Sequence, residues 1–126
     1  QAVLEGMKSK QCGSIINVGS NSSLLGLPDY PSYVAAKAGI VGLTKALARE
    51  IGRYNIRVNA LIPGWVMTEK QKRKWATPEA VQECLNRQCL KRLITEPDIA
   101  DAALFLASGA SSMMTGQSLI IDGGRA

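Results

Sequence analysis

Short β-branched runs alternate with longer stretches of helical period along this chain, and that alternation limits its fold more than any other feature. Ser14-Ile15-Ile16-Asn17-Val18 has the near-continuous apolar character of a strand buried in a parallel sheet. From Ser32 to about Arg53 the period is helical. Asn55-Ile56-Arg57-Val58-Asn59-Ala60-Leu61-Ile62 is a second strand, ended by Pro63-Gly64, because proline cannot donate to a sheet and glycine permits a sharp turn. Strand, helix, strand is a βαβ unit with a right-handed crossover. Gln117 to Ile121 adds a third strand, closed by Asp122-Gly123-Gly124. The predicted fold class is α/β, with about three parallel strands and flanking helices, half of a doubly wound sheet. Ligands of such sheets bind beyond the carboxyl ends of the strands, where residues 19–31 and 63–74 form loops.

Residues 1–9 read as the last turns of a helix, with Val3, Leu4 and Met7 apolar and no N-cap before them. In the helix predicted over 32–53, Ile40, Leu43, Leu47 and Ile51 make a large apolar stripe, and Ala35, Gly39, Gly42 and Ala46 a second stripe of small residues. The large stripe suits the sheet. The small one admits close approach of another helix, so a subunit contact is expected there, packing inside one chain being the alternative. Thr77-Pro78-Glu79 opens a helix over 78–89, and Thr95-Glu96-Pro97-Asp98 opens another ending near Ser108, with Ile99, Ala103, Leu106 and Ala107 turned inward.

The chain has no histidine, which removes Ser-His and Cys-His nucleophilic systems and imidazole metal ligands at once. Acid-base work near neutral pH then falls to Tyr, Lys, Asp or Glu. The net charge of +5 raises nucleic acid as a partner, but Lys70, Lys72, Arg73 and Lys74 form the one dense basic patch, without interleaved aromatic residues. A solvated helix or lid face accounts for it, and no nucleic acid is expected. Apolar runs fall far short of the roughly 18 residues of a membrane span, and no basic-then-apolar leader opens the chain. No membrane association is expected, and the expected location is cytoplasmic. Cys12, Cys84 and Cys89, lacking Cys-x-x-Cys spacing, read as reduced cytosolic thiols, with no disulfide framework and no metal site.

Tyr33 and Lys37 lie four residues apart at the start of the long helix, on one face. A free phenol titrates near pH 10, so acid-base work near neutrality needs its anion stabilised, and a shift of about three pH units requires roughly 4 kcal/mol. A neighbouring ammonium and a cationic oxidised nicotinamide ring could supply that. Ser20, at the end of the first strand, would set a hydroxyl over the same point and hold a substrate oxygen.

Gly13-Ser14-Ile15-Ile16-Asn17-Val18-Gly19-Ser20, followed by Tyr33-Val34-Ala35-Ala36-Lys37, resembles the short-chain dehydrogenase/reductase family. The spacing of 13 residues from Ser20 to Tyr33 suits that family, as do Ile56 to Ala60, Pro63-Gly64, Thr68, Thr115-Gly116 and Asp122-Gly123-Gly124. The resemblance implies a Rossmann-type sheet and a cofactor, NAD or NADP. It implies Tyr33 as general acid/base, Lys37 lowering the phenol pKa and bonding the nicotinamide ribose, and Ser20 orienting the carbinol or carbonyl. Pro63, Gly64, Trp65 and Val66 would line the nicotinamide, with the Val66 main chain and Thr68 holding its carboxamide and phosphate side; Thr68 as a helix cap and Ser20 as a turn residue are the plainer alternatives. The family's glycine-rich cofactor turn and its catalytic asparagine match nothing in residues 1–126. The domain is therefore expected to be a partial one, with an exposed sheet edge at Ser14 to Val18, and inactive by itself.

Pro63-Gly64-Trp65-Val66-Met67-Thr68-Glu69-Lys70-Gln71, Trp75 with Thr77-Pro78-Glu79-Ala80, and Gln88 to Arg92 resemble the aldose 1-dehydrogenase subgroup, which oxidises sugars to lactones at the anomeric carbon. Trp65 and Trp75 would stack on a sugar ring while Asn21, Ser22 and Gln71 bond its hydroxyls; packing within a lid is the alternative for both tryptophans. The expected partner is thus a small sugar or other alcohol or carbonyl compound, bound by a homo-oligomer. Two alternatives remain: reduction of a 3-oxoacyl thioester, and a non-catalytic fragment that keeps only a dimerising helix.

Overall fold

Strand β1 (Gly13–Val18) pairs in parallel with β2 (Ile56–Pro63), and β2 pairs in parallel with β3 (Ser118–Ile121), in the order β1-β2-β3. Gly13 lies opposite Ile56 and Val18 opposite Leu61, while Ala60 lies opposite Ser118 and Pro63 opposite Ile121. The computed structural model describes residues 2–126, so Gln1 of the expected opening helix lies outside the described residues. Helices α1 (Leu4–Lys10), α2 (Ser22–Leu25), α3 (Pro31–Ile51), α4 (Glu69–Lys74), α5 (Pro78–Arg87) and α6 (Glu96–Ala107) complete the fold. The α/β class and the parallel three-stranded sheet agree with the sequence.

β2 is buried on both faces because α3 and α6 cover opposite sides of it. Ile56 and Val58 pack with Ala48 and Ile51 of α3, and Leu61 packs with Ala102 and Leu106 of α6. Each of the Ile, Val and Leu side chains among them contributes about 1.5–3 kcal/mol by leaving water.

Ile51 is buried and Ile40 and Leu47 are partly buried, as the expected stripe has them, but the buried face is turned away from Leu43 toward Thr44 and Ala48. Thr44, Ala48 and Ile51 are buried, Leu47 is partly buried, and Leu43 is 49% exposed. The physical reason is polar: the Asn17 amide of β1 donates to the Thr44 hydroxyl at 3.0 Å and fixes which side of the helix meets the sheet. Hydrophobic periodicity carries no signal for such a bond. Ala35, Gly39, Gly42 and Ala46 all face outward. On α6, Ile99, Ala103 and Leu106 turn inward as expected, but Ala102 rather than Ala107 completes the stripe.

The loop after β1 contains a short helix, and the basic stretch lies on the solvated helix expected of it. α2 interrupts the loop after β1, and α4 carries Lys70, Lys72, Arg73 and Lys74 on an exposed turn, with Lys72 paired to Glu69 at 2.8 Å. The start signals hold: the Thr77 hydroxyl accepts from the Ala80 N–H at 3.2 Å, and Asp98 accepts from the Thr95 N–H at 2.8 Å. Among the described residues no helix is long and apolar enough to cross a membrane, and Cys12, Cys84 and Cys89 are free thiols.

Asn59, 0% exposed, ties β2 to the segment before β3: its carbonyl accepts from the Gln117 N–H at 3.0 Å and its amide donates to the Met114 carbonyl at 2.8 Å. Replacing it with leucine leaves both part-buried backbone groups without that partner and buries no polar replacement for them. Asn59→Leu should cost about 3 kcal/mol of unfolding free energy, read from urea denaturation; a loss under about 1 kcal/mol would contradict this.

Candidate active site

The loops after β1 and β2 emerge side by side at the carboxyl ends of the sheet. Ser20 stands two residues beyond Val18, the last residue of β1. Gly19 precedes it because a Cβ there would collide with the Ile62 side chain. The Ser20 oxygen accepts from the Ser22 N–H at 3.2 Å and from the Ser22 hydroxyl at 2.8 Å. Its own hydroxyl proton remains available to a ligand.

Tyr33 and Lys37 lie one turn apart at the start of α3, whose first turn is set by Pro31. The Lys37 ammonium donates to the Val18 carbonyl at 3.0 Å and stands 5.7 Å from the centre of the Tyr33 ring. Lysine thereby joins the helix to the end of the strand that leads into Ser20. Tyr30 meets Tyr33 edge to face, with centroids 6.2 Å apart. The Tyr33 side of this arrangement is open, the residue being 46% exposed.

In the loop after β2, the Gly64 N–H donates to the Ile121 carbonyl at 2.9 Å, and a Cβ on Gly64 would lie 2.8 Å from that of Asp122. Val66 forms an isolated parallel bridge with Ile94, and Met67 donates to the Ile94 carbonyl at 2.8 Å. The Val66 N–H has no partner among the described residues. Thr68 caps α4, its hydroxyl accepting from the Gln71 N–H at 3.3 Å. The Trp65 indole N–H donates to the Gln71 side-chain oxygen at 2.8 Å, which leaves the Gln71 amide N–H groups as donors.

Asn21 is turned inward. It is 4% exposed, its N–H donates to the Pro63 carbonyl at 2.9 Å, and its side-chain amide donates to Asp122 at 3.2 Å. The amide N–H expected to meet a ligand hydroxyl is thus committed to a carboxylate. Ser22 is likewise buried, its hydroxyl spent on Ser20. Trp75 is exposed at the end of α4, near the Lys74 ammonium. A cleft of about 480 Å³ between α4, α5 and the start of α6 is lined by Met67, Lys72, Val81, Leu93 and Thr95, not by Tyr33 or Lys37.

Asp122, which in the sequence closes the last strand and belongs to the family resemblance, has a further part at the site that sequence reading missed. An aspartate followed by two glycines was the available signal: Gly123 and Gly124 adopt positive φ and turn the tail back so that its N–H groups reach the carboxylate. Burial pushes the Asp122 carboxyl up, but hydrogen bonds from the Arg125 N–H, the Asn21 amide and the Ala126 and Gly124 N–H groups outweigh it and hold it below its ordinary value. The side-chain bond from Arg92 and the bonds from Thr95 lower the Asp98 carboxyl further still. A carboxyl held low in the folded state favours folding above its unfolded value, near 3.9, and loses that contribution as pH falls through the folded value. Urea midpoints should therefore fall on acidification below about pH 4, and less steeply in Asp122→Asn; equal slopes would contradict the assignment.

A family model described as enoyl-(acyl carrier protein) reductase matches residues 1–126. The chain belongs to the short-chain dehydrogenase/reductase family. Among proteins of this oxidoreductase family, one named "Probable galactose dehydrogenase" from Rhizobium meliloti is 50% identical over 124 residues, which are 98% of this chain and 48% of that protein. A D-xylose 1-dehydrogenase of Caulobacter vibrioides is 48% identical, over 98% of this chain and 50% of its own length. A 3-oxoacyl-[acyl-carrier-protein] reductase of Chlamydia muridarum is 45% identical, over 99% and 50% respectively. The crystal structure of a gluconate 5-dehydrogenase from Burkholderia cenocepacia, in complex with NADP and tartrate, superposes with a TM-score of 0.91 at 34% identity, over 99% of this chain and 49% of that one. The chain spans about half the length of the curated relatives it matches.

Proposed function

We propose that these residues are the carboxyl-terminal, active-site half of a nicotinamide-dependent dehydrogenase that oxidises an aldose at its anomeric carbon. The observation that carries this reading is the Lys37 ammonium, bonded to the end of β1 and 5.7 Å from the Tyr33 ring. The names of the galactose and xylose dehydrogenases support the sugar, and the oriented Trp65–Gln71 pair supports a hydroxylated substrate.

The residues present fit the nicotinamide end of NAD or NADP. Lys37 spends one of its three donors on Val18 and keeps two for ribose hydroxyls, and the Val66 N–H is a spare donor for a carboxamide beside Pro63, Gly64 and Thr68. When bound, the cofactor supplies the hydride acceptor. Ser20 donates to the substrate oxygen and orients it. Lys37 stabilises the Tyr33 phenolate, whose oxygen takes the proton from the anomeric hydroxyl and becomes the neutral phenol. Gln71 donates to a sugar hydroxyl, and Trp65 lies against the ring.

On this reading the partial domain needs a companion half that carries the glycine-rich cofactor turn, works in the cytoplasm, and dimerises through the exposed Ala35, Gly39, Gly42 and Ala46 face of α3. The purified 126-residue polypeptide is then inactive. Reduction of a 3-oxoacyl thioester is the second reading, favoured by the Chlamydia relative. Initial rates of a full-length form on aldoses, 3-oxoacyl thioesters and steroids, with each cofactor, separate them. Aldose oxidation should exceed the others in kcat/KM by at least about a hundredfold, about 2.7 kcal/mol of transition-state discrimination. Preferred thioester reduction would overturn the sugar assignment.

A further inference from the structure

The loops after all three strands meet at one buried carboxylate. Asp122, 5% exposed at the end of β3, accepts the Asn21 amide on one oxygen at 3.2 Å, together with the Ala126 N–H at 2.8 Å. Its other oxygen accepts the Gly124 N–H at 2.9 Å and the Arg125 N–H at 3.1 Å. Gly64 leaves the loop after β2 resting against the same residue. Asn21 is also tied to Pro63 through its main chain. Ser20 is the residue directly before Asn21, so its backbone is fixed by contacts to the ends of β2 and β3.

We propose that Asn21 and Asp122 are a positioning pair for Ser20: the amide–carboxylate bond, between residues 101 apart in sequence, sets where the serine hydroxyl stands relative to Tyr33. The inference rests on the dehydrogenase reading above. Neither residue touches the substrate. Asp122 meets only neutral donors, with no cationic side chain in its set, so the double exchange reverses the direction of the Asn21–Asp122 bond and gives up only the Ala126 bond on the same oxygen, which makes the expected recovery partial.

The test uses a full-length form and four variants: Asn21→Ala, Asn21→Asp, Asp122→Asn and the double exchange Asn21→Asp/Asp122→Asn. Misplacing a reacting group by an ångström costs on the order of a hundredfold. Each single variant should lower kcat by about ten- to a hundredfold while the Kd of the cofactor moves less than about threefold. The double exchange should recover at least about half of that loss on a logarithmic scale, which general loosening of the fold would not produce. Asn21→Ala leaves the three backbone bonds of Asp122 intact, so it reads the effect even where Asp122→Asn does not fold. A kcat within about twofold of the parent for Asn21→Ala, or no recovery in a folded double exchange, overturns the proposal. Tyr33→Phe run alongside separates the two claims: if it stays active, the dehydrogenase reading has failed; if it is inactive while Asn21→Ala is normal, only the positioning pair has.

Discussion

Tyr33→Phe in a full-length form should lower kcat by at least about a hundredfold and leave cofactor affinity within about threefold. The expectation is sharp because the phenolic oxygen supports nothing in the fold. The residue is half exposed, its ring contacts are to Tyr30 and Lys37, and its hydroxyl has no hydrogen-bond partner among the described residues. Phenylalanine keeps both ring contacts, so Tm should move by no more than about 2 °C, the scale of a surface change. A large kinetic loss on an unchanged scaffold is therefore chemical in origin. Near-normal turnover would remove Tyr33 from acid-base work.

Lys37→Met should be as damaging and differ in kind. The ammonium is bonded to the Val18 carbonyl and sits near the Tyr33 ring, so its loss removes charge from the proton-transfer site and donors from the ribose side. Loss of a preorganised electrostatic contact of this sort costs about 10²–10³ in kcat. A charge-assisted hydrogen bond to the cofactor is worth about 1.5–3 kcal/mol, so Kd should rise at least about tenfold. The pH–rate profile should also move to higher pH. An unmoved profile with a weakened Kd would reduce Lys37 to a cofactor-binding role. Folding should change little, because the Lys37 side chain makes one hydrogen bond in the fold, to the Val18 carbonyl at the end of β1.

Ser14 to Val18 and Asn55 to Ile62 were legible as strands because burial in a parallel sheet demands continuous apolar character, and β2 is buried on both faces. Thr77, Thr95 and Asp98 announced their helices because capping is local chemistry. The face of α3 was legible in part: Leu47 and Ile51 pack on the sheet as their spacing predicts, but the Asn17–Thr44 bond joins two polar residues from different elements, which periodicity cannot weigh. The same limit applies at the site. The spacing of Tyr33 and Lys37 is a local helical fact and was visible, whereas the Lys37–Val18, Trp65–Gln71 and Asn21–Asp122 bonds depend on where loops land. Asn21 is the clearest case, a polar residue beside the serine that suggested a ligand contact and instead reaches inward across 101 positions of sequence to a buried aspartate.

Tyr33, Ser20, Lys37 and the substrate should meet at one point, which a crystal structure of a full-length form with oxidised cofactor and a slow aldose substrate would resolve. The anomeric hydroxyl should lie about 2.6–3.2 Å from both the Tyr33 and the Ser20 oxygens, with Lys37 on the nicotinamide ribose. A sugar bound with Tyr33 more than about 5 Å from the reacting hydroxyl, beyond hydrogen-bond reach even in a loosened site, would contradict it.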